Sequence, residues 1–87
     1  MKGFVYILKD STGKFYIGST DNIDRRLSQH EQGHTQTTRN MEKPELIFQQ
    51  GYESIKVARQ IERRLKSLKR KDYIEKIIAD GYIRMTI

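Results

Sequence analysis

The stretch "FVYILKDSTGKFYIGST", residues 4–20, decides how the chain begins to fold. It holds two apolar triplets, Val5-Tyr6-Ile7 and Phe15-Tyr16-Ile17, ten residues apart on either side of "KDSTGK". Runs rich in Val, Ile, Tyr and Phe, separated by Asp, Ser, Thr and Gly, predict a β-hairpin over about 4–8 and 14–18. A turn centred on Ser11 sets Tyr6 opposite Tyr16 on one face, their Cβ atoms roughly 5 Å apart, whereas a bulge at Gly13 would move the register by one.

Working outward, "STDNIDRRLSQHEQG" starts with cap-type residues and ends at Gly33, predicting a helix from about Asp21 or Asn22 to Gln32. Ile23 and Leu27 mark its buried side; at 100° per residue Arg26 and His30 fall on or beside that stripe, and Arg25 points away. "GHTQTTRNMEK" is polar and aperiodic and reads as a mobile loop, and "PELIFQQGY" supplies a third strand from near Pro44. A cap signal at Ser54 opens the longest helix, roughly Ser54 to Lys69, with Ala58, Ile61, Leu65 and Leu68 as its core stripe and Glu62 at the stripe's edge. "KDYIEKIIADG" makes a short last helix stopped by Gly81, and "YIRMTI" is either an added strand or a packed coil. The order β-β-α-β-α-α is that of one α/β (α+β) domain over residues 1–87.

The composition narrows the chemistry. With 87 residues the core is small, so a site must share residues with it. The absence of cysteine excludes disulfides, thiolate metal sites and thiol nucleophiles, and a cytoplasmic location is expected. No apolar run approaches the roughly 20 residues of a membrane span, and the opening "MKGFVYILKD" is expected to enter a strand at once rather than act as a signal peptide. Seventeen Lys+Arg against eleven Asp+Glu leave a net charge of +6, which favours a polyanionic partner such as nucleic acid, although charge alone equally suits a solubilising surface.

If both helices pack on the tyrosine-bearing face of the hairpin, Tyr6, Tyr16, Arg26, His30 and Glu62 converge. Singly, each has an ordinary structural role: cross-strand packing for the tyrosines, ion pairs for Arg26 and Glu62, a helix-end hydrogen bond for His30. Together they resemble the GIY-YIG nuclease family. Val5-Tyr6 fits the end of the first triad, Tyr16-Ile17-Gly18 is the second in full, Arg26 follows ten residues later, His30 four beyond that, and Glu62 stands where the family has its metal-binding glutamate. The resemblance runs from about Lys2 to Ile78 and is closest to the small stand-alone members and to the N-terminal nuclease domain of the bacterial excinuclease C subunit. It implies a three-stranded antiparallel sheet flanked by helices.

It also implies a metal-dependent endonuclease acting on DNA, with Mg²⁺ or Mn²⁺ on Glu62 and Arg26 forked onto a phosphate. A general base is then needed: Tyr6, with His30 accepting its proton and Tyr16 orienting water or phosphate, is preferred, with the opposite assignment left open. Three positions depart from the family pattern. Phe4 stands in place of the first glycine, Ser19 where some members have lysine, and Ile74 where some have asparagine. No small-molecule cofactor or membrane is expected, and branched, nicked or single-stranded DNA is expected over a specific sequence. The alternatives are a weakly active or inactive nucleic-acid-binding module, or a protein-interaction domain in a DNA-repair assembly.

Overall fold

The hairpin forms from β1 (Gly3–Lys9) and β2 (Phe15–Thr20). The computed structural model describes residues 2–31, 44–68 and 70–83, without the side chains of 29–31. Five residues, 10–14, connect the strands, and Asp10 organises them. Its Oδ1 accepts hydrogen bonds from Thr12 N (3.0 Å), Thr12 Oγ1 (2.7 Å) and Lys14 N (2.8 Å). Gly13, at φ 93°, turns the chain back and donates its N–H to Asp10 O at 3.1 Å. The turn is therefore centred on Thr12, not Ser11, and the expected pairing is corrected: Tyr6 faces Gly18 and Tyr16 faces Leu8. The displacement is two residues, one full side-chain period, so both tyrosines keep the same face. They meet diagonally, with ring centroids 6.2 Å apart.

Next come α1 (Ile23–Glu31), β3 (Glu45–Tyr52), α2 (Ile55–Leu68) and α3 (Lys71–Asp80). Side-chain caps start the first two helices, Arg25 N donating to Asn22 Oδ1 (3.0 Å) and Val57 N to Ser54 Oγ (3.2 Å). Gly81, in the left-handed region at φ 83°, ends α3 by donating to Ile77 O. The segment read as a loop at 33–43, Lys69 at the expected end of α2, and most of the expected C-terminal strand or coil lie outside the described residues. Ile83, however, is buried and held to β3 by Gln50, whose Oε1 accepts from Ile83 N and whose Nε2 donates to Ile83 O.

The strands form one antiparallel sheet in the order β2-β1-β3, which leaves β2 at an edge. On one face Val5, Ile7, Ile17 and Phe48 pack with Ala58, Ile61 and Leu65 of α2 and Ile74 and Ile77 of α3. Each fully buried side chain of this size contributes roughly 1.5–3 kcal/mol by leaving water. Leu68, expected in the α2 stripe, is the last residue of the helix and is 41 % exposed. Tyr6, Leu8, Tyr16 and Gly18 face the other way, toward Arg26 of α1. The expectation that both helices cover the tyrosine face is thus corrected: α2 lies on the opposite one, since alternation turns Ser19 and Ile17 away from Tyr16. Among the described residues no helix is long and apolar enough to cross a membrane.

Candidate active site

The edge strand joins the two faces. Around its Gly18-Ser19 step lies a cleft of about 350 Å³ that takes Tyr6 and Tyr16 from one side of the sheet and Glu62 from the other. Arg26 closes it from α1, and Arg59 and Arg63 of α2 line its outer wall. Gly18 makes the arrangement possible, because the Tyr6 phenol lies directly across it. A Cβ there would stand 2.5 Å from Tyr6 Cζ and 2.9 Å from Cε1, and closer still to the hydroxyl.

Glu62 is fixed from two directions. The Ser19 hydroxyl donates to Oε1, and Lys66, one turn on, pairs with Oε2 at 2.7 Å. Its side chain is 19 % exposed and lines the cleft. Lys66 Nζ also lies 5.6 Å from the Tyr16 ring centroid. Arg26 Nε is buried with no hydrogen-bond partner among the described residues, a donor whose burial calls for an acceptor. Arg25, by contrast, points outward and pairs with Asp21 at 2.6 Å.

Tyr6 is 2 % exposed. Burial pushes its phenol well above the usual tyrosine range, and Tyr16, by proximity and by hydrogen bonding, pushes it the same way, as does Glu62. Arg26 opposes them but does not prevail.

Residues 2–76 match the GIY-YIG catalytic domain. The chain belongs to the GIY-YIG family. It is 33 % identical over 78 residues to a UPF0213 protein of Natronomonas pharaonis, covering 88 % of this chain and 91 % of that one. With a UPF0213 protein of Streptococcus pneumoniae it shares 37 % identity over 70 residues, 79 % of this chain and 71 % of the relative. The solution NMR structure of the UPF0213 protein BH0048 from Bacillus halodurans has the same fold, with a TM-score of 0.59 at 29 % identity over 93 % of this chain and 87 % of that one. GIY-YIG is a nuclease family, and the β-β-α-β-α-α sheet-and-helix order is the one found here.

In this GIY-YIG chain the structure brings Tyr6, Tyr16, Arg26 and Glu62 to one cleft. His30 falls in the last turn of α1, and its side chain lies outside the described residues. Sequence reasoning missed Arg59, Arg63 and Lys66, whose signal is their spacing around Glu62 on one helix. It also missed that Ser19, one of the three departures, is the hydroxyl that orients Glu62. The other two lie elsewhere: Phe4 rests against Gly51 of β3, and Ile74 is buried in the core on α3.

Proposed function

We propose that this chain is a metal-dependent endonuclease that hydrolyses DNA phosphodiester bonds at branched, nicked or single-stranded positions rather than at a particular sequence. The observation that carries this reading is that Arg26, its Nε buried with no hydrogen-bond partner among the described residues, lines a cleft that also holds two tyrosines and an oriented carboxylate. A guanidinium so held binds a phosphate through paired donors and stabilises the charge that grows on its oxygens during hydrolysis. Arg59 and Arg63 widen the same positive field at the mouth of the cleft.

The donor set fits a hydrated divalent ion. Among the described residues no three His, Asp or Glu gather into a cage. Mg²⁺ retains most of its waters, however, and takes further oxygens from substrate, so the single carboxylate of Glu62 suffices, with Mn²⁺ as an alternative. When bound, the ion supplies charge neutralisation at the leaving 3′-oxygen. Ser19 keeps Glu62 turned into the cleft, and Lys66, an exposed and flexible side chain, exchanges its contact with Oε2 for the approaching substrate.

The attacking water needs a base to take its proton. Tyr6 is held as a neutral phenol hydrogen-bonded to Tyr16. We therefore assign the base to Tyr16, which lines the cleft beside Lys66, and give Tyr6 the role of a fixed donor. This reverses the preference drawn from sequence. Lys66 on Oε2 favours a second reading, a strand-binding module that does not turn over. Labelled duplex, nicked, flapped, four-way-junction and single-stranded DNA, incubated with Mg²⁺, Mn²⁺ or chelator, separates the two. Metal-dependent product is expected, and binding without product under every condition would refute the enzyme reading.

A further inference from the structure

A second groove, of about 570 Å³, adjoins the cleft along the edge of β2 and opens toward the hairpin loop and the start of α3. Phe15, Ile17, Leu65 and Ile74 form an apolar floor. The rim is cationic, built of Lys14, Lys66, Arg70 and Lys71, all exposed, and among the described residues no acidic one lines the groove. Arg70 pairs at 2.7 Å with Asp72 outside it, a contact open to water that a phosphate can replace.

Cleft and groove meet at Tyr16. Tyr16 lines both, and Lys66 stands between them, in reach of Glu62 on one side and the Tyr16 ring on the other. Arg59, Arg63 and Lys66 recur at helical spacing along α2, and Arg70 continues the series just beyond its end. At 1.5 Å per residue, Arg59 and Lys66 are about 10 Å apart along the axis, the length of roughly three stacked nucleotides. A strand whose phosphate enters the cleft would continue into the groove.

We propose that this groove binds unpaired DNA nucleotides next to the scissile phosphate, with a base on the Phe15 floor and phosphates on Lys14, Arg70 and Lys71; the proposal rests on reading the cleft as the nuclease site. A duplex keeps its bases stacked inside and has no use for an apolar floor, whereas an unpaired strand uses floor and rim together. Phe15 already attracts cations, with Lys9 and Lys71 Nζ at 5.6 and 5.7 Å from its ring centroid. A base that displaces the Lys71 ammonium from the ring leaves it free for the flanking phosphate.

The test measures fluorescence anisotropy of the full chain, in chelator to stop turnover, with three fluorescein-labelled DNAs: a blunt duplex, the same duplex with a single-stranded tail of about four nucleotides, and one with an abasic tail. The tailed duplex is expected to bind about tenfold tighter than the blunt one, with most of that gain lost when the tail is abasic. Lys14→Ala and Lys71→Ala should each cut the gain about threefold and lower the salt slope on the tailed probe by roughly 0.7, leaving blunt-duplex affinity unchanged. Equal affinity for blunt and tailed probes, full affinity for an abasic tail, or equal competition by oligoglutamate overturns the proposal. The two readings fail separately. Metal-dependent cleavage without a tail preference leaves the nuclease and removes the groove, and a tail preference without cleavage does the reverse.

Discussion

Replacing Gly18 by alanine tests the register of the hairpin and the construction of the site at once. The new methyl would stand 2.5 Å from Tyr6 Cζ, whereas ordinary contact begins at 3.4 Å, so the phenol would have to retreat by about 1 Å. Tyr6 is almost wholly buried and has no room to retreat without shifting its neighbours. Overpacking of this kind costs about 1–3 kcal/mol, or at about 2 kcal/mol a Tm lower by about 8–16 °C for a domain of this size. A displacement of about 1 Å at a reacting centre is expected to lower the chemical rate by about 10²-fold. Gly51→Ala is the control, because its Cβ would meet only the Phe4 ring edge at 3.3 Å, which a half-buried side chain can yield. Its expected change is within about 1 kcal/mol, since the lost clearance is offset by reduced freedom of the unfolded chain. Urea unfolding and single-turnover cleavage, measured for both variants beside the parent, supply the numbers. If Gly18→Ala matches Gly51→Ala in both stability and rate, the pairing of Tyr6 with Gly18 is wrong.

Three further outcomes follow from the site. Glu62→Gln should retain the parent's unfolding midpoint and lose at least about 10²-fold in Mg²⁺-dependent single-turnover rate; an unchanged rate removes Glu62 from the chemistry. Arg26→Ala should lower that rate by about 10²–10³-fold with a smaller effect on binding, and Arg25→Ala, which removes only an exposed pair with Asp21, should leave the chemical step intact; the opposite pattern would disprove the helix register. The raised pKa of Tyr6 sets a sign for alkaline stability. The native state holds a proton that the unfolded chain releases above pH about 10, so the contribution is full below that value and is lost as pH rises further. Tyr6→Phe should therefore flatten the decline in urea midpoint above pH about 10, and an equally steep decline in the variant would show that Tyr6 is not the buried group.

What the sequence made legible is what periodicity and capping govern. Asn22, Ser54 and Gly81 end their helices as their side chains or backbone freedom require, and the stripes of Ala58, Ile61 and Leu65 point where 3.6-residue spacing sends them. The expected hairpin centre is one residue off because the Asp10 side chain claims two loop amides and a hydroxyl, local contacts to Thr12 and Lys14 that a count of turn residues alone does not weigh. The opposed faces of the helices were legible in principle, since Tyr16 and Ser19 differ by an odd number of positions on one strand. Arg59 and Arg63 were hidden among seventeen basic residues, and only the position of α2 beside the β2 edge separates them from the rest. Leu68 shows the converse, a stripe residue left exposed at the last position of its helix.

The edge position of β2 explains why so small a domain can hold both a core and a site. An interior strand is covered on both faces and both sides, so polar groups from opposite faces never meet across it. At an edge they do: Tyr16 and Gly18 belong to one face, Ser19 to the other, and the strand is only one residue wide where the cleft crosses it. Glu62 can therefore sit on the helix that packs the apolar core and still reach the cleft through Ser19, with Ala58, Ile61 and Leu65 of the same helix fully committed to packing. The unpaired side of an edge strand ordinarily invites another chain to add to the sheet. Here it is bordered by Arg59, Arg63 and Lys66, whose charge repels a second copy of the same basic edge and attracts a phosphate backbone. One row of cations thus serves both to protect the sheet and to draw in the substrate, which is why the basic excess of this chain is informative only once β2 is known to lie at the edge.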